Sequence, residues 1–330
     1  MIGIICGTRP EIIKLSPIIE RLGKEKKEFV VLFTNQHFSD NMSKKFFKEF
    51  LIEGCVHMNE KNENILHYLN TYINVYKCDK IIVQGDTRSA YYGALSAKLN
   101  NCKLYHVEAG LRTGDFNSPN PEEFYRSEIS NISDVDFCPH INNTTILENL
   151  RISNKKIIVT GNPIVQAIRK QNIIPNKKQQ VVVTIHRNEN KKYIKEIVYF
   201  LKQMIEHYNT YIFKIIIHPN RILGDALQYY VKRNVKKIQP LGYKEMLQEI
   251  SDSAFVITDS GGLQEECCEF GTFCFVMRDK TERKEIIDLG YGILLDPSKP
   301  HTVYGFKDLK DCKNPYYREN CIDKIYKELK

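Results

Sequence analysis

The chain has 330 residues, a formal net charge of +8, a hydrophobic fraction of 42% and a charged fraction of 27%. These values are typical of a soluble globular protein, and the length suits two domains of roughly 150 residues each. No apolar run approaches the roughly 20 residues of a membrane span, so no membrane partner is expected. The lysines are scattered over predicted helix faces, which argues against a nucleic-acid partner.

The beginning of the chain and the cysteines bear on where the protein acts. Residues 1–6 are apolar, but they lack a basic segment and a small-residue cleavage site, so they are predicted to form a first strand. The ten cysteines contain no CxxC pair. Several lie in predicted core strands, which indicates reduced thiols. We therefore expect a cytoplasmic protein.

Short β-branched runs alternate with longer amphipathic stretches, a pattern typical of a parallel sheet covered by helices. The predicted class is α/β, with two Rossmann-like domains, 1–165 and 166–330, that face a cleft. Their boundary is expected near 163–178, and 317–330 should form a helix that can pack back on the first domain. Strands are predicted at 1–6, 29–34, 80–84, 103–107, 136–138, 180–185, 213–217, 236–239, 255–258, 273–277 and 292–295.

Ligands of open α/β sheets bind beyond the carboxyl ends of the strands, so the polar residues there are candidates. After the first strand, Arg9 lies at a predicted helix start and Lys14 one turn later, an arrangement suited to a diphosphate. A turn with a surface arginine is the alternative. Asp86 follows the strand 80–84 and is either a catalytic acid or a helix N-cap.

The densest motif covers 106–114 and 121–126. Glu108 and Glu122 flank a glycine-containing loop, and Arg126, one helical turn past Glu122, can orient that carboxylate. With Asp86 they form a general acid/base set. Solvated loop charges are the alternative.

Two motifs stand out in the second half. His186 follows the strand 180–185 and could hydrogen-bond a phosphate or a leaving group, and His218 is a weaker candidate of the same kind; structural histidines are the alternative. Residues 258–266 turn from a strand into a helix through two glycines, where backbone N–H groups can bind phosphate. The candidates here are Ser260, Gly261, Gly262 and, for ribose, Glu266. No cluster has metal-ligand spacing, so no metal is predicted.

These motifs, in this order and at these separations, resemble the non-hydrolysing UDP-N-acetylglucosamine 2-epimerases over roughly residues 1–295. The matching segments are 7–14, 108–114, 121–126, 161–162, 258–266 and 277–283. The resemblance implies the glycosyltransferase-B fold, a homodimer and a UDP-amino-sugar substrate. It also implies inversion at C2 of UDP-N-acetylglucosamine, giving UDP-N-acetylmannosamine by loss and re-addition of UDP through a glycal, with no cofactor.

The resemblance further implies a role for each candidate. Arg9 and Lys14 would face the diphosphate and the sugar, while Ser260 and Gly261 would hold phosphates and Glu266 the ribose. Three carboxylates, Asp86, Glu108 and Glu122, would be the acid/base residues. Arg126 and His186 would support catalysis, His186 by stabilising the departing UDP.

Other functions stay open on the sequence. Segments 36–38 and 242–243 also resemble 2-epimerases of other UDP-acetamido sugars, whereas the long loop 113–119 favours UDP-N-acetylglucosamine. A hydrolysing epimerase would release free N-acetylmannosamine, and a glycosyltransferase of the same fold would need an acceptor. A non-catalytic sensor would bind the nucleotide sugar without turnover.

Overall fold

The computed structural model describes residues 1–36, 50, 55–58, 64–116, 119–150, 155–219, 222–300, 305–309 and 312–330. The strands are β1 (Ile2–Cys6), β2 (Phe29–Phe33), β3 (Cys55–His57), β4 (Lys80–Gln84), β5 (Lys103–Val107), β6 (Val135–Cys138), β7 (Lys156–Val159), β8 (Gln180–Thr184), β9 (Ile212–Ile216), β10 (Val235–Ile238), β11 (Phe255–Thr258), β12 (Phe273–Met277) and β13 (Gly292–Leu295). The helices are α1 (Arg9–Lys24), α2 (Ile65–Val75), α3 (Arg88–Leu99), α4 (Glu122–Ile132), α5 (Ile141–Glu148), α6 (Ile164–Arg169), α7 (Ile194–His207), α8 (Ile222–Ala226), α9 (Tyr243–Asp252), α10 (Gly261–Glu269), α11 (Lys284–Asp288) and α12 (Cys321–Leu329), with a 3-10 turn at Asn188–Tyr193.

These elements form two compact units. Unit 1 comprises Met1–Ala167 and Tyr316–Lys330, and unit 2 comprises Ile168–Pro315. The sheet of unit 1 has the order β3-β2-β1-β4-β5-β6-β7 and that of unit 2 the order β10-β9-β8-β11-β12-β13. Within each sheet the paired strands are parallel. Each order reverses direction beside the unit's first strand, which is the Rossmann arrangement.

Apolar side chains cover both faces of the unit 1 sheet, because its central strands are continuous apolar runs. On one face, Ile4 and Ile82 pack with Leu15 of α1 and Ile325 of α12. On the other face, Ile5 and Val83 pack with Leu69 of α2 and with Ala90 and Ala94 of α3. In unit 2, strand residues such as Val182 and Val256 pack with Ile250 of α9 and Cys267 of α10. Both cores leave the carboxyl ends of the strands to polar residues.

The α12 helix is part of unit 1. The ammonium of Lys80 donates to the carbonyl oxygen of Leu329 at 2.8 Å. The hydroxyl of Tyr105 donates to the backbone carbonyl oxygen of Glu328 at 2.9 Å. The α12 helix buries its apolar side chains against α1 and the first sheet and so belongs to unit 1. The domain limits 1–165 and 166–330 stay a prediction.

The α/β prediction is confirmed, and the predicted strands agree with the observed ones to within two residues at their ends. Two strands, β3 and β7, were not predicted from the sequence; they lie at the two edges of the first sheet. In the described part of the chain, no helix is long and apolar enough to cross a membrane. All ten cysteines are free thiols, eight of them buried.

Candidate active site

The turn after β1 is built around the carboxylate of Glu11. Its Oε2 accepts from the backbone N–H groups of Gly7 at 3.0 Å and Thr8 at 2.8 Å and from the Thr8 hydroxyl at 2.7 Å. Its Oε1 accepts from the hydroxyl of Thr87 at 2.7 Å. Glu11 is 1% exposed, and burial raises its pKa to about 7 against the hydrogen bonds from Thr87 and Thr8. This carboxylate ties the start of α1, where Arg9 lies, to the residue that follows Asp86.

Gly7 is required in this turn by close packing. A Cβ there would lie 1.9 Å from the Ser89 Oγ and 2.2 Å from the Thr34 Oγ1. Those two hydroxyls are hydrogen-bonded to each other at 2.6 Å. The turn after β1 therefore lies directly against the start of α3.

Glu108 follows β5 and has a backbone φ of 67°, in the left-handed region that non-glycine residues rarely adopt. Its Oε2 forms a buried ion pair with the ammonium of Lys14. The same oxygen accepts from the amide of Asn162 at 2.8 Å. Asn162 is fully buried, and its own Oδ1 accepts from the N–H of Ile164 at 3.2 Å. The structure thus brings two predicted site residues, Lys14 and Glu108, into direct contact.

Arg126 joins two carboxylates. Its guanidinium forms an ion pair with Asp86, and its Nη1 lies 3.3 Å from the Oε2 of Glu123. Glu123 is 2% exposed, and its carboxylate also accepts from the N–H groups of Thr113 at 3.2 Å and Gly114 at 3.1 Å. Arg126 was expected to orient Glu122. The structure shows ion pairs of Arg126 with Asp86 and, one turn earlier on α4, with Glu123.

A buried polar cluster lies behind Asp86. The ring nitrogen Nε2 of His106 lies 2.8 Å from the carbonyl oxygen of Gly85. Asp136 lies beside the other side of this ring, with the ammonium of Lys155 at 2.9 Å from its Oδ2. Burial opposes ionisation of Asp136, but hydrogen bonding and charge from His106 and the charge of Lys155 lower its pKa. The cluster holds the backbone of the turn that carries Asp86.

In unit 2, His186 and His218 follow the adjacent strands β8 and β9. Their rings stack with centroids 4.9 Å apart and an interplanar angle of 26°. Asp259, after β11, is fully buried, and its Oδ1 lies 3.3 Å from the Nδ1 of His186. Burial lowers the pKa of His186, Asp259 opposes that effect, and His218 and Arg187 add to it. The two predicted histidines therefore lie together at one sheet edge.

The turn after β11 leads into α10, whose first two residues are Gly261 and Gly262. A Cβ on Gly261 would lie 2.7 Å from the Arg283 Nη1 and 2.9 Å from the Glu282 Oε1. The guanidinium of Arg283 is buried and lies 2.9 Å from the Oε1 of Glu265. A network of buried charges thus supports the helix start at Ser260, Gly261 and Gly262. Glu266, the predicted ribose ligand, is buried one turn into the same helix.

Among the described residues, no group of three or more His, Cys, Asp or Glu side chains has a geometry that could hold a metal ion. Segments 37–38 and 117–118, which bear on the choice between sugars, lie outside the described residues.

Comparison with known proteins assigns the chain to a family. The family model for UDP-N-acetylglucosamine 2-epimerase matches residues 20–330. A UDP-N-acetylglucosamine 2-epimerase of Methanocaldococcus jannaschii is 36% identical, over 99% of this chain and 98% of that protein. The chain belongs to the UDP-N-acetylglucosamine 2-epimerase family. It is therefore an enzyme of the isomerase class.

Two further relatives of the epimerase family are informative. The UDP-GlcNAc 2-epimerase from Neisseria meningitidis, whose crystal structure is bound to UDP-GlcNAc, has 28% sequence identity to this chain. The two structures match over 99% of each chain with a TM-score of 0.87. A UDP-2,3-diacetamido-2,3-dideoxy-D-glucuronate 2-epimerase of Pseudomonas aeruginosa is 31% identical, over 91% of this chain and 89% of that protein. The predicted glycosyltransferase-B-like fold is thereby confirmed.

Several residues that hold the candidate side chains of this epimerase were not predicted from the sequence. Glu11 had a signal, since Thr8 followed by Glu11 is a capping-box pattern. Asp259 follows a strand directly, which is itself a candidate position. The sequence gives no indication that Glu123 is buried, because two adjacent glutamates at a helix start do not reveal which one faces the core.

Proposed function

We propose that this epimerase interconverts UDP-N-acetylglucosamine and UDP-N-acetylmannosamine by inverting C2. The supporting observation is the 36% identity to the M. jannaschii UDP-N-acetylglucosamine 2-epimerase over 99% of the chain. The likeness to the N. meningitidis enzyme bound to UDP-GlcNAc supports the same substrate. Within the chain, acidic groups gather in unit 1 and a phosphate-binding helix start lies in unit 2.

The proposed chemistry is elimination followed by re-addition. The C2 proton of the sugar is not beside a carbonyl, so its direct removal is too costly. Breaking the bond between C1 and the UDP oxygen creates oxocarbenium character at C1, and a carboxylate then removes the C2 proton to form a glycal. Protonation of C2 on the opposite face and return of UDP to C1 complete the inversion. This route requires no redox cofactor and no metal.

Unit 1 supplies the proton chemistry in this proposal. Asp86, Glu108 and Glu122 are the acid/base residues. The ion pairs of Glu108 with Lys14 and of Asp86 with Arg126 give both carboxylates a fixed position, which general acid–base catalysis requires. Arg9 contacts the diphosphate of the substrate, and Lys14 contacts the substrate where the diphosphate joins the sugar.

Unit 2 retains UDP between the two steps. The backbone N–H groups at Ser260, Gly261 and Gly262 bind phosphate oxygens, because N–H groups at a helix start point outward and favour anions. Glu266 accepts from the ribose hydroxyls. His186, stacked on His218, donates to the departing UDP.

We also propose that the enzyme is a cytoplasmic homodimer. The ten free thiols support a reducing compartment. An aromatic cluster on α3 and α4 supports self-association: Tyr91 stacks on Tyr125 at 4.9 Å and contacts Phe124, which is 44% exposed. Aromatic residues are enriched at protein interfaces. Light scattering coupled to gel filtration tests this directly, and a monomer at micromolar concentration would contradict it.

A second candidate substrate is a UDP-diacetamido sugar, which the P. aeruginosa relative favours. The test is incubation of the purified protein in D2O with each UDP-sugar, followed by proton NMR of C1 and C2. Appearance of UDP-N-acetylmannosamine with deuterium at C2 and little free UDP supports the proposal. Deuterated product from the diacetamido sugar alone would favour the second candidate, and release of free N-acetylmannosamine would indicate a hydrolysing enzyme.

A further inference from the structure

Asp259 lies where the two central strands of the unit 2 sheet end. The register pairs Thr184 of β8 with Thr258 of β11, so the residues that follow them lie side by side at the carboxyl edge. Asp259 is fully buried. An isolated carboxylate at such a position is costly, and its surroundings must therefore supply hydrogen-bond donors.

The donors around Asp259 are all N–H groups. The backbone N–H of His186 lies 3.1 and 3.0 Å from its two oxygens, and that of Arg187 lies 2.9 Å from Oδ2. The amide nitrogen of Asn190 also donates to Oδ2, at 2.9 Å. That nitrogen donates to the carbonyl oxygen of Met277 as well, at 3.1 Å, which fixes the orientation of the amide. Oδ2 is thus occupied by donors, and Oδ1 faces the imidazole.

The remaining contact of Asp259 is with the imidazole ring of His186. Its Nδ1 lies 3.3 Å from the Oδ1 of Asp259. A carboxylate only accepts hydrogen bonds, so this arrangement favours the proton on Nδ1, and in that neutral tautomer Nε2 is unprotonated. The stacked ring of His218, 4.9 Å away, restricts rotation of the imidazole.

We propose that Asp259 is a positioning residue that orients His186 and fixes its Nδ1–H tautomer, leaving Nε2 to the diphosphate of the nucleotide. The inference rests on the proposed function for the role of His186 toward UDP. Before UDP departs, Nε2 takes up a proton from solvent, and the resulting imidazolium donates from Nδ1 to Asp259 and from Nε2 to a phosphate oxygen. Asp259 stabilises that imidazolium and does not contact the substrate itself.

The tautomer is measurable without substrate, by NMR of full-length protein labelled with 15N at histidine. The His186 signals are identified by their loss in His186→Gln. The expected wild-type spectrum at a pH where the ring is neutral has a protonated Nδ1. In Asp259→Asn, the amide oxygen must face the donors at Oδ2, so the amide NH2 faces Nδ1 and the proton moves to Nε2. A wild-type ring protonated at Nε2 would overturn the proposal, even if the variant fails to fold.

Measurements of kcat and of UDP binding distinguish a positioning role of Asp259 from a role in folding. Asp259→Asn is expected to lower kcat for epimerisation by at least about 10-fold, the scale of a disturbed acid–base group, while UDP still binds. The matched control is Asp252→Asn at the opposite end of β11, because Asp252 is 5% exposed and accepts from the N–H of Asn176 at 3.0 Å and from Lys178 at 2.7 Å. The control is expected to keep the wild-type tautomer and kcat.

Two outcomes distinguish this inference from the proposed function. A wild-type protein that never epimerises any UDP-sugar contradicts the proposed function, while its NMR spectrum still decides whether Asp259 sets the tautomer. A wild-type protein that epimerises, with a variant that switches tautomer and keeps full kcat, contradicts the positioning role of Asp259.

Discussion

The ammonium of Lys14 lies against the carboxylate of Glu108, and only 6% and 4% of the two side chains are exposed. Both residues lie at the carboxyl edge of the unit 1 sheet, one at the start of α1 and the other after β5. Removing one partner of a buried pair leaves the other charge uncompensated. We expect Lys14→Met to lower the free energy of unfolding by about 3–5 kcal/mol, measured by urea unfolding.

The control for this variant is Lys24→Met on the same helix. Lys24 pairs with Glu20 at 2.8 Å, but 71% and 39% of these side chains are exposed. An exposed pair contributes about 0–1 kcal/mol. Equal losses of stability in the two variants would show that the Lys14–Glu108 pair behaves as if it were solvated.

The buried carboxyl of Glu11 predicts a pH dependence of stability. Burial raises its pKa from 4.5 to about 7, so the folded protein retains a proton that the unfolded chain releases. The stabilisation from this proton is complete below the unfolded pKa and is lost as the pH rises through the folded one. Glu11→Gln stays neutral, so its stability relative to wild type should rise as the pH increases from about 5 to about 8.

The control for Glu11 is Glu20→Gln, since Glu20 is a half-buried residue of the same helix. Thermal unfolding of the three proteins across this pH range gives the comparison. A stability difference between Glu11→Gln and wild type that does not change with pH would mean that Glu11 stays ionised in the folded protein.

Arg126→Lys is expected to lower kcat by about 10- to 100-fold, because one ammonium cannot replace a guanidinium that contacts both Asp86 and Glu123. UDP binding, measured by calorimetry, should be unchanged, since Arg126 is not among the proposed ligands of the diphosphate. The control is Arg21→Lys, whose partners Glu25 and Asp323 lie at 3.2 and 3.1 Å on the surface. Loss of UDP binding in Arg126→Lys would contradict the assignment.

The neighbours Glu122 and Glu123 should respond differently to the same change. Glu122→Gln removes a proposed acid/base group, so kcat should fall by about 100-fold or more. Glu123→Gln weakens the acceptor of the Thr113 and Gly114 N–H groups, so their amide hydrogen exchange should become faster. Faster amide hydrogen exchange in Glu122→Gln but not in Glu123→Gln would mean that Glu122, and not Glu123, accepts from these N–H groups.

The sequence predicted the strands well where they are central and apolar. β8 and β11 were located to within one residue, because continuous β-branched runs are characteristic of buried parallel strands. The edge strand Cys55–His57 has three half-buried residues and no apolar run, so its sequence carries no such signal. Edge strands are specified largely by the neighbour that they pair with.

The sequence indicated candidate residues that follow strands, and it gave no role to the residues that hold them in place. Lys14 and Glu108 were identified separately, but their contact depends on how α1 lies across the sheet. Glu123 and Arg283 are charged residues in amphipathic segments, where a pattern places charge at the surface. Their burial depends on partners distant in sequence, such as Glu265 for Arg283.

The packing of α12 on α1 has a consequence for synthesis of the protein on the ribosome. Unit 1 begins at Met1 but needs Tyr316–Lys330 to complete its core, whereas unit 2 is the continuous segment Ile168–Pro315. Domains generally fold as units while the chain emerges. Unit 2 can therefore reach its native state first, and the nascent unit 1 must keep its α12-binding face exposed until α12 has left the exit tunnel.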